Sequence, residues 1–203
     1  MGGSFSSGVF PRVITTGDNA IRYDDTVWDD EKFPFIGQRI DTTSGRLGYD
    51  YTELGIFFAD NARYAATEQV SMVSQLSHKW KLESAVYPHF HWFQSSANIP
   101  NFLLEYRKYK NGDSVPSTWV KAVSTPVFTY TSGTILQISV FPAVDMTGID
   151  SVSLFTDYKF YRDTLNDSGE FAGADPLTGN ALVKEFDVHF EIDTAGSRQE
   201  YVK

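Results

Sequence analysis

Between residues 186 and 193, apolar and polar side chains alternate without exception. The apolar members are Phe186, Val188, Phe190 and Ile192, and the polar members are Asp187, His189, Glu191 and Asp193. Successive side chains of a β-strand point to opposite faces, so this pattern predicts an antiparallel strand that is buried on one side. Its polar side is expected to face water or an interface.

Shorter alternating stretches recur along the chain, for example in residues 54–58, 102–106 and 136–140. Turn signals separate them every 8–15 residues, and no strand–helix alternation typical of βαβ units is present. A length of 203 residues suits one domain. We therefore predict an all-β fold, an antiparallel two-sheet β-sandwich with about eight strands in a jelly roll.

The first 50 residues differ from the rest in composition. Residues 1–20 are rich in Gly, Ser and Thr, and residues 21–50 are polar with scattered aromatics. We expect an N-terminal arm and an extended strap over residues 1–50, and the jelly-roll domain over residues 51–203. Within that domain, Asn111-Gly112 and residues 131–133 predict hairpin turns, and residues 162–182 predict a long loop.

Charge and composition exclude several classes of function. The net charge of −9 disfavours binding to nucleic acid or to an anionic membrane. The chain has no cysteine, so thiolate chemistry and disulfides are excluded. We see no signal peptide and no apolar run of membrane-spanning length. We expect a soluble protein made in a cytoplasm and used there or in an assembled particle.

The segment from His78 to Trp92 contains three of the four histidines, and His89 and His91 would share one face of a strand. Two such imidazoles can bind one metal ion. In the cupin family, however, a Glu follows the His-x-His within a few residues, and here the next acid is Glu105. His189 could be a further ligand only if its strand lies beside residues 85–94.

A structural role is the stronger interpretation of this segment. A strand over residues 85–94 would carry aromatic side chains on both faces, which is typical of a central strand or of a subunit contact. We interpret His89 and His91 as hydrogen-bonding members of that packing. Pro88 suggests an edge, a bulge or a strand start. No catalytic, cofactor-binding or metal-binding residue is assigned, and no enzymatic activity or cofactor is expected.

Other polar clusters carry weak signals. The acidic runs 24–25 and 29–30, and Asp187 with its acidic neighbours, resemble solvated surface rather than a glycosidase pair. Residues 166–170 offer oxygens for calcium but lack the full register of a calcium loop.

Three segments resemble a family of small virion proteins of tailed bacteriophages. They are Gln75–Lys81, Pro88–Trp92, and Asp187–Asp193 followed by Gly196–Glu200. In that family the first segment more often reads Gln-Met-Pro-His, where this chain has Leu76 and Ser77. The resemblance covers about residues 50–200.

The resemblance implies a structural protein of the particle, of the capsid decoration or cement type, that clamps subunits of the major capsid protein. It also implies self-association, as a homotrimer, and a location on the capsid surface after synthesis in the host cytoplasm. Two alternatives stay open. One is a cupin-type metalloenzyme that uses His89, His91 and His189, and the other is a tail or receptor-binding module that recognises glycan.

Overall fold

The computed structural model describes residues 13–15, 21–35, 38, 40, 42–94, 98–126, 136–150 and 153–195. The strands are β1 (Val13–Thr15), β2 (Ile21–Pro34), β3 (Leu47–Asp50), β4 (Gly55–Phe58), β5 (Val70–Gln75), β6 (Val86–Phe93), β7 (Phe102–Lys110), β8 (Val120–Val123), β9 (Thr125–Pro126), β10 (Gln137–Val140), β11 (Leu154–Arg162) and β12 (Ala181–Thr194). One short 3₁₀ helix spans Ala66–Glu68. Among these residues, no helix has the length and hydropathy to cross a membrane.

The strands form two antiparallel sheets. The large sheet has eight strands, with the path β1-β2-β12-β6-β10-β9 and with β4 and β3 attached beside β12. The small sheet has four strands in the order β5-β11-β7-β8. The prediction of an all-β antiparallel sandwich is confirmed.

Eight of these strands have the connectivity of a jelly roll. If β4, β5, β6, β7, β8, β10, β11 and β12 are counted from one to eight, the large sheet reads 1-8-3-6 and the small sheet 2-7-4-5. This order results from two Greek keys wound into facing sheets. The other four strands, β1, β2, β3 and β9, extend the large sheet beyond the expected eight.

The segment predicted as a strap takes the form of strands. β2 pairs along β12 from Glu185↔Pro34 to Thr194↔Arg22, and β3 pairs with β4. The large sheet therefore includes part of residues 1–50. Strand periodicity is hard to see in β2 because its inward positions include Glu31 and Asp29, which are opposite Val188 and Phe190. Apart from β1, the expected N-terminal arm lies outside the described residues.

An aromatic cluster between the sheets is centred on Phe90 of β6. Its ring centroid lies 4.8 to 5.9 Å from those of Phe35, Phe102, Phe141, Phe160 and Phe186. Most of these pairs are edge-to-face, an arrangement that stabilises aromatic cores beyond the area they bury. Phe186, Val188, Phe190 and Ile192 all lie in the same core, as their alternation predicts.

β6 is a central strand, flanked by β12 and β10. Pro88 is its third residue and lies one position beyond the last pair with β10, Val140↔His89. The predictions of an edge and of a strand start are therefore both wrong, because β6 is central and begins at Val86, two residues before Pro88. A proline fits here because the β10 ladder, which would need its N–H, has ended.

The turn at Asn111-Gly112 is present but does not close a tight hairpin. Gly112 has φ +91° and Asp113 N donates to the Lys110 carbonyl, whereas β8 begins only at Val120. The second half of β7 pairs with β11 alone, so a longer loop leads to β8. The turn expected at residues 131–133 lies outside the described residues.

The long loop after β11 is held by one buried cation. Arg162 is fully buried and donates Nε to Asp175 Oδ2 at 2.8 Å. Its other guanidinium nitrogens donate to the carbonyls of Phe58, Ala59, Leu177 and Gly179. All three guanidinium nitrogens are thus used to tie the loop to β4 and the residue after it, which indicates a structural role for this loop.

Replacing Arg162 by Met should lower the free energy of unfolding by about 3–5 kcal/mol, because Asp175 is left as an uncompensated buried charge. Urea denaturation followed by circular dichroism measures this. A matched control is Arg63→Met, since Arg63 also pairs with a loop carboxylate, Asp167, but at the surface. We expect little change there, and equal losses for the two variants would contradict the assignment.

Candidate functional site

The outer face of the large sheet, the face turned away from the core, carries most of the chain's histidines. β6 contributes Tyr87, His89 and His91, β12 contributes Glu185, Asp187, His189 and Glu191, and β2 contributes Trp28, Asp30 and Lys32. Strand alternation places all of them on one side, since their core-facing neighbours lie in the apolar cluster. We call this set the outer face.

Three of these side chains form a compact cluster. Asp187 pairs directly with His89 across β12 and β6. His91 Nε2 lies 3.1 Å from Asp187 Oδ2, and His89 Nε2 lies 3.5 Å from the same oxygen. The ligand-type atoms of His89, His91 and Asp187 all fall within 4.8 Å of one another.

The Asp187 carboxylate is buried and only partly compensated. Asp187 is 1% exposed, and its Oδ1 has no hydrogen-bond partner. Lys32 Nζ approaches Oδ2 only to 3.9 Å. A buried carboxylate requires a nearby positive charge or several donors, and here His89, His91 and Lys32 supply them on the Oδ2 side only.

Electrostatics within the cluster follow from this burial. Burial alone would raise the pKa of Asp187, but hydrogen bonds from His89 and His91 and from Glu185 outweigh it and hold the pKa well below its ordinary value. The hydrogen bond to Asp187 raises the pKa of His91. Burial, and then the adjacent Asp187, raise the pKa of Glu185.

His189 lies beside the cluster, but its imidazole pairs with a different carboxylate, that of Asp30. Its ring packs edge-on against His89 with centroids 4.3 Å apart, whereas its Nε2 lies 2.8 Å from Asp30 Oδ1. Burial and the proximity of His89 lower the pKa of His189. The condition that its strand lies beside residues 85–94 is met, yet the compact cluster contains Asp187 in place of His189.

A carboxylate does lie beside His89 and His91, although none follows His91 within a few residues in the sequence. The carboxylate comes from Asp187 on the neighbouring strand and not from the residues that follow His91 in sequence. Alternation already placed Asp187 on one face with His189, but the pairing of β12 with β6 could not be read from the sequence. The interpretation of Asp187 as solvated surface is wrong for the same reason, because β2 and β6 flank it on both sides.

The segment considered for calcium uses its oxygens internally. Asn166 Oδ1 accepts from the N–H of Phe171, and Asp167 forms an ion pair with Arg63. Asp163, one turn earlier, accepts the backbone N–H groups of Asp167 and Ser168. These contacts fold the loop on itself.

A second polar surface lies on the outer side of the small sheet. A cleft of about 410 Å³ is lined by Tyr64, Gln69, Glu105, Trp119, Lys159 and Tyr161, among others. Glu105 accepts hydrogen bonds from both tyrosines, and Lys159 Nζ lies 3.9 Å from the centre of the Trp119 ring. Because these groups satisfy one another, the cleft gives no specific support to glycan recognition.

Compared with known proteins, the chain matches no family model and no curated protein at a significant level.

In metal-free protein, His91 should titrate at higher pH than His189. The hydrogen bond to Asp187 stabilises the protonated form of His91, and Glu185 adds to this effect while Lys32 opposes it. Burial and the proximity of His89 destabilise the protonated form of His189, and Asp30 opposes that effect. NMR titration of the imidazole signals in the presence of a chelator measures both. Asp187→Asn should return the His91 pKa toward its ordinary value of about 6.5, and an inverted order of the two would contradict the geometry.

The pKa shifts of Asp187 and His91 predict how the stability of the folded protein depends on pH. The folded-state pKa of Asp187 is lowered, so its contribution is present above its unfolded value of about 3.9 and is lost as pH falls below it. The pKa of His91 is raised, so its contribution is present below about pH 6.5 and is lost as pH rises through the folded pKa. The difference in unfolding free energy between the parent and Asp187→Asn should therefore be largest between about pH 4 and 6.5.

Proposed function

We propose that this chain is a structural protein of a tailed-bacteriophage particle, of the capsid decoration type, and that its outer face contacts the major capsid protein. The proposal is supported by the position in space of the three segments that resemble the phage family. Although they are far apart in sequence, the described parts of all three, which exclude residues 196–200, meet at β12.

The contacts between these segments are direct. Pro88–Trp92 of β6 pairs with β12 through Val188↔Pro88 and Asp187↔His89. The segment Gln75–Lys81 reaches the other end of the same strand. Trp80 forms a bridge with Ile192, and the N–H of Lys81 donates to the Glu191 carbonyl at 2.8 Å. The described residues of the three segments therefore form one continuous structural unit around a single strand.

Exposed aromatic side chains lie on this unit. Trp28 is 50% exposed and Tyr87 is 41% exposed, and their rings meet edge-to-face at 5.4 Å. Val140 of the neighbouring strand β10 is also 39% exposed. Tryptophan and tyrosine are the residues most enriched at the energetic centres of protein interfaces. Their position on the same face as the buried polar cluster suits a face that docks onto another subunit.

Self-association as a trimer belongs to the same proposal. A jelly roll with a closed core offers its faces and its terminal segments for contact, and a closed ring is a common solution for identical subunits. Mass determination of the free protein tests the oligomeric state independently of particle binding.

The protein should bind purified heads of the phage that encodes it and raise their resistance to heat and low salt. Replacing Trp28 and Tyr87 together by Ser should abolish both effects, since an aromatic at the energetic centre of an interface is worth about 2 kcal/mol or more. Co-sedimentation of protein with heads measures binding, and a nuclease-accessibility assay after heating measures protection.

A matched control is Val73→Ser, which removes a 57% exposed apolar side chain from β5 of the small sheet. It should bind heads as the parent does. Heads that neither contain nor bind the protein, or a Trp28/Tyr87 variant that binds as tightly as the parent, would refute the proposal. Cryo-electron microscopy of the particle places the protein on head or tail.

A further inference from the structure

We propose that His89, His91 and Asp187 form a binding site for one divalent transition-metal ion, with Zn²⁺ as the best match to the ligand types. The site is argued from the geometry of β6 and β12 alone and does not depend on the virion role. Two imidazole nitrogens and one carboxylate oxygen are a ligand set that Zn²⁺ commonly takes in proteins.

The distances already approximate those of a loaded site. Metal–ligand bonds of about 2.0–2.1 Å in a tetrahedron place neighbouring ligand atoms roughly 3.4 Å apart. The two separations that involve Asp187 Oδ2 are 3.1 Å to His91 and 3.5 Å to His89. The third separation, between the two imidazole nitrogens, is at most 4.8 Å, so rotation of the histidine side chains would bring the three atoms around one ion.

The unpartnered oxygen of Asp187 is an independent observation that points to a ligand. Asp187 is 1% exposed, yet Oδ1 has no hydrogen-bond donor. Leaving a buried acceptor unsatisfied costs about 1–3 kcal/mol, and more when the group is charged. A cation bound to this carboxylate would neutralise its charge from closer range than Lys32 Nζ, which lies 3.9 Å from Oδ2.

The surroundings favour a cation and leave it a route of entry. Glu185 is opposite His91 in the strand pairing, and Asp30 and Glu191 lie on the same face, so these carboxylates outnumber the nearby cation Lys32, which is 3.9 Å from both Asp187 and Glu185. His91 is the most exposed member of the cluster, with 23% of its side chain accessible. The fourth position of a tetrahedral ion would open on this side, to water or to Glu185. Such partial coordination also suits a ligand supplied by a partner subunit.

A rigid scaffold holds the ligands in place. His89 and Asp187 are central residues of paired strands, and His89 is 5% exposed. The residues next to them in sequence, Phe90, Phe186 and Val188, face the other side of the sheet and are buried in the hydrophobic core. The ligand set is thus largely preorganised, and metal binding need not order a loop.

The test uses tag-free, full-length protein treated with a chelator and then dialysed. Titration with zinc chloride by isothermal calorimetry should give one ion per chain, and the thermal midpoint should rise with zinc concentration. Cobalt(II) should give the visible absorption of a four-coordinate ion, which reports the ligand field directly. Absence of stoichiometric binding of either ion to the parent protein would overturn the proposal.

Variants assign the ligands. His91→Gln and Asp187→Asn should each weaken zinc binding at least about 100-fold, because even second-shell changes cost 10- to 100-fold. His78→Ala, which removes the one histidine outside this region of the outer face, should bind zinc as the parent does. Circular dichroism shows that each variant is folded. Parent-like affinity in folded His91→Gln and Asp187→Asn would place the metal elsewhere and refute the site.

Discussion

The register between β12 and β6 is the constraint on which the rest of the structure depends. With Asp187 opposite His89, Phe186 and Phe90 lie together inside the sandwich and their polar neighbours lie together outside. A slip of one residue would place either the carboxylate or both imidazoles in the core, because one of the two strands would turn its polar face inward. Burial of the aromatic cluster around Phe90 therefore fixes the register, and the same register brings Asp187 next to the two histidines on the outer face.

A bulge in β12 adjusts this register near one end. The pairing runs Val183↔Trp92 and then Glu185↔His91, so Lys184 is an extra residue on the β12 side. Before the bulge, Val183 faces the core, and after it Glu185 faces outward beside the histidines. Bulges commonly re-aim side chains near functional sites, and here the bulge brings a second carboxylate to the outer face.

The two outer surfaces of the sandwich differ in how their charges are compensated. On the small sheet, Asp157 accepts from Arg107 and from Tyr109, so its carboxylate is neutralised within the chain. On the large sheet, Asp187 retains a buried oxygen without a donor, and exposed Trp28 and Tyr87 lie close by. Since unsatisfied polar groups and clustered exposed aromatics both mark sites of contact, the large sheet is where a cation and a partner are to be sought.

The sequence by itself determined the all-β class, the half-buried character of residues 186–193 and the shared face of His89 and His91, because a period of two is a local property of the backbone. It did not reveal β2, in which Glu31 and Asp29 occupy inward positions and break the apolar alternation. It could not supply the third member of the polar cluster either. Asp187 is 98 residues after His89 by their numbers, and only the tertiary pairing of β12 with β6 brings them together. Which strands become neighbours is decided by burial of the whole core, a non-local free energy that no single stretch of sequence contains.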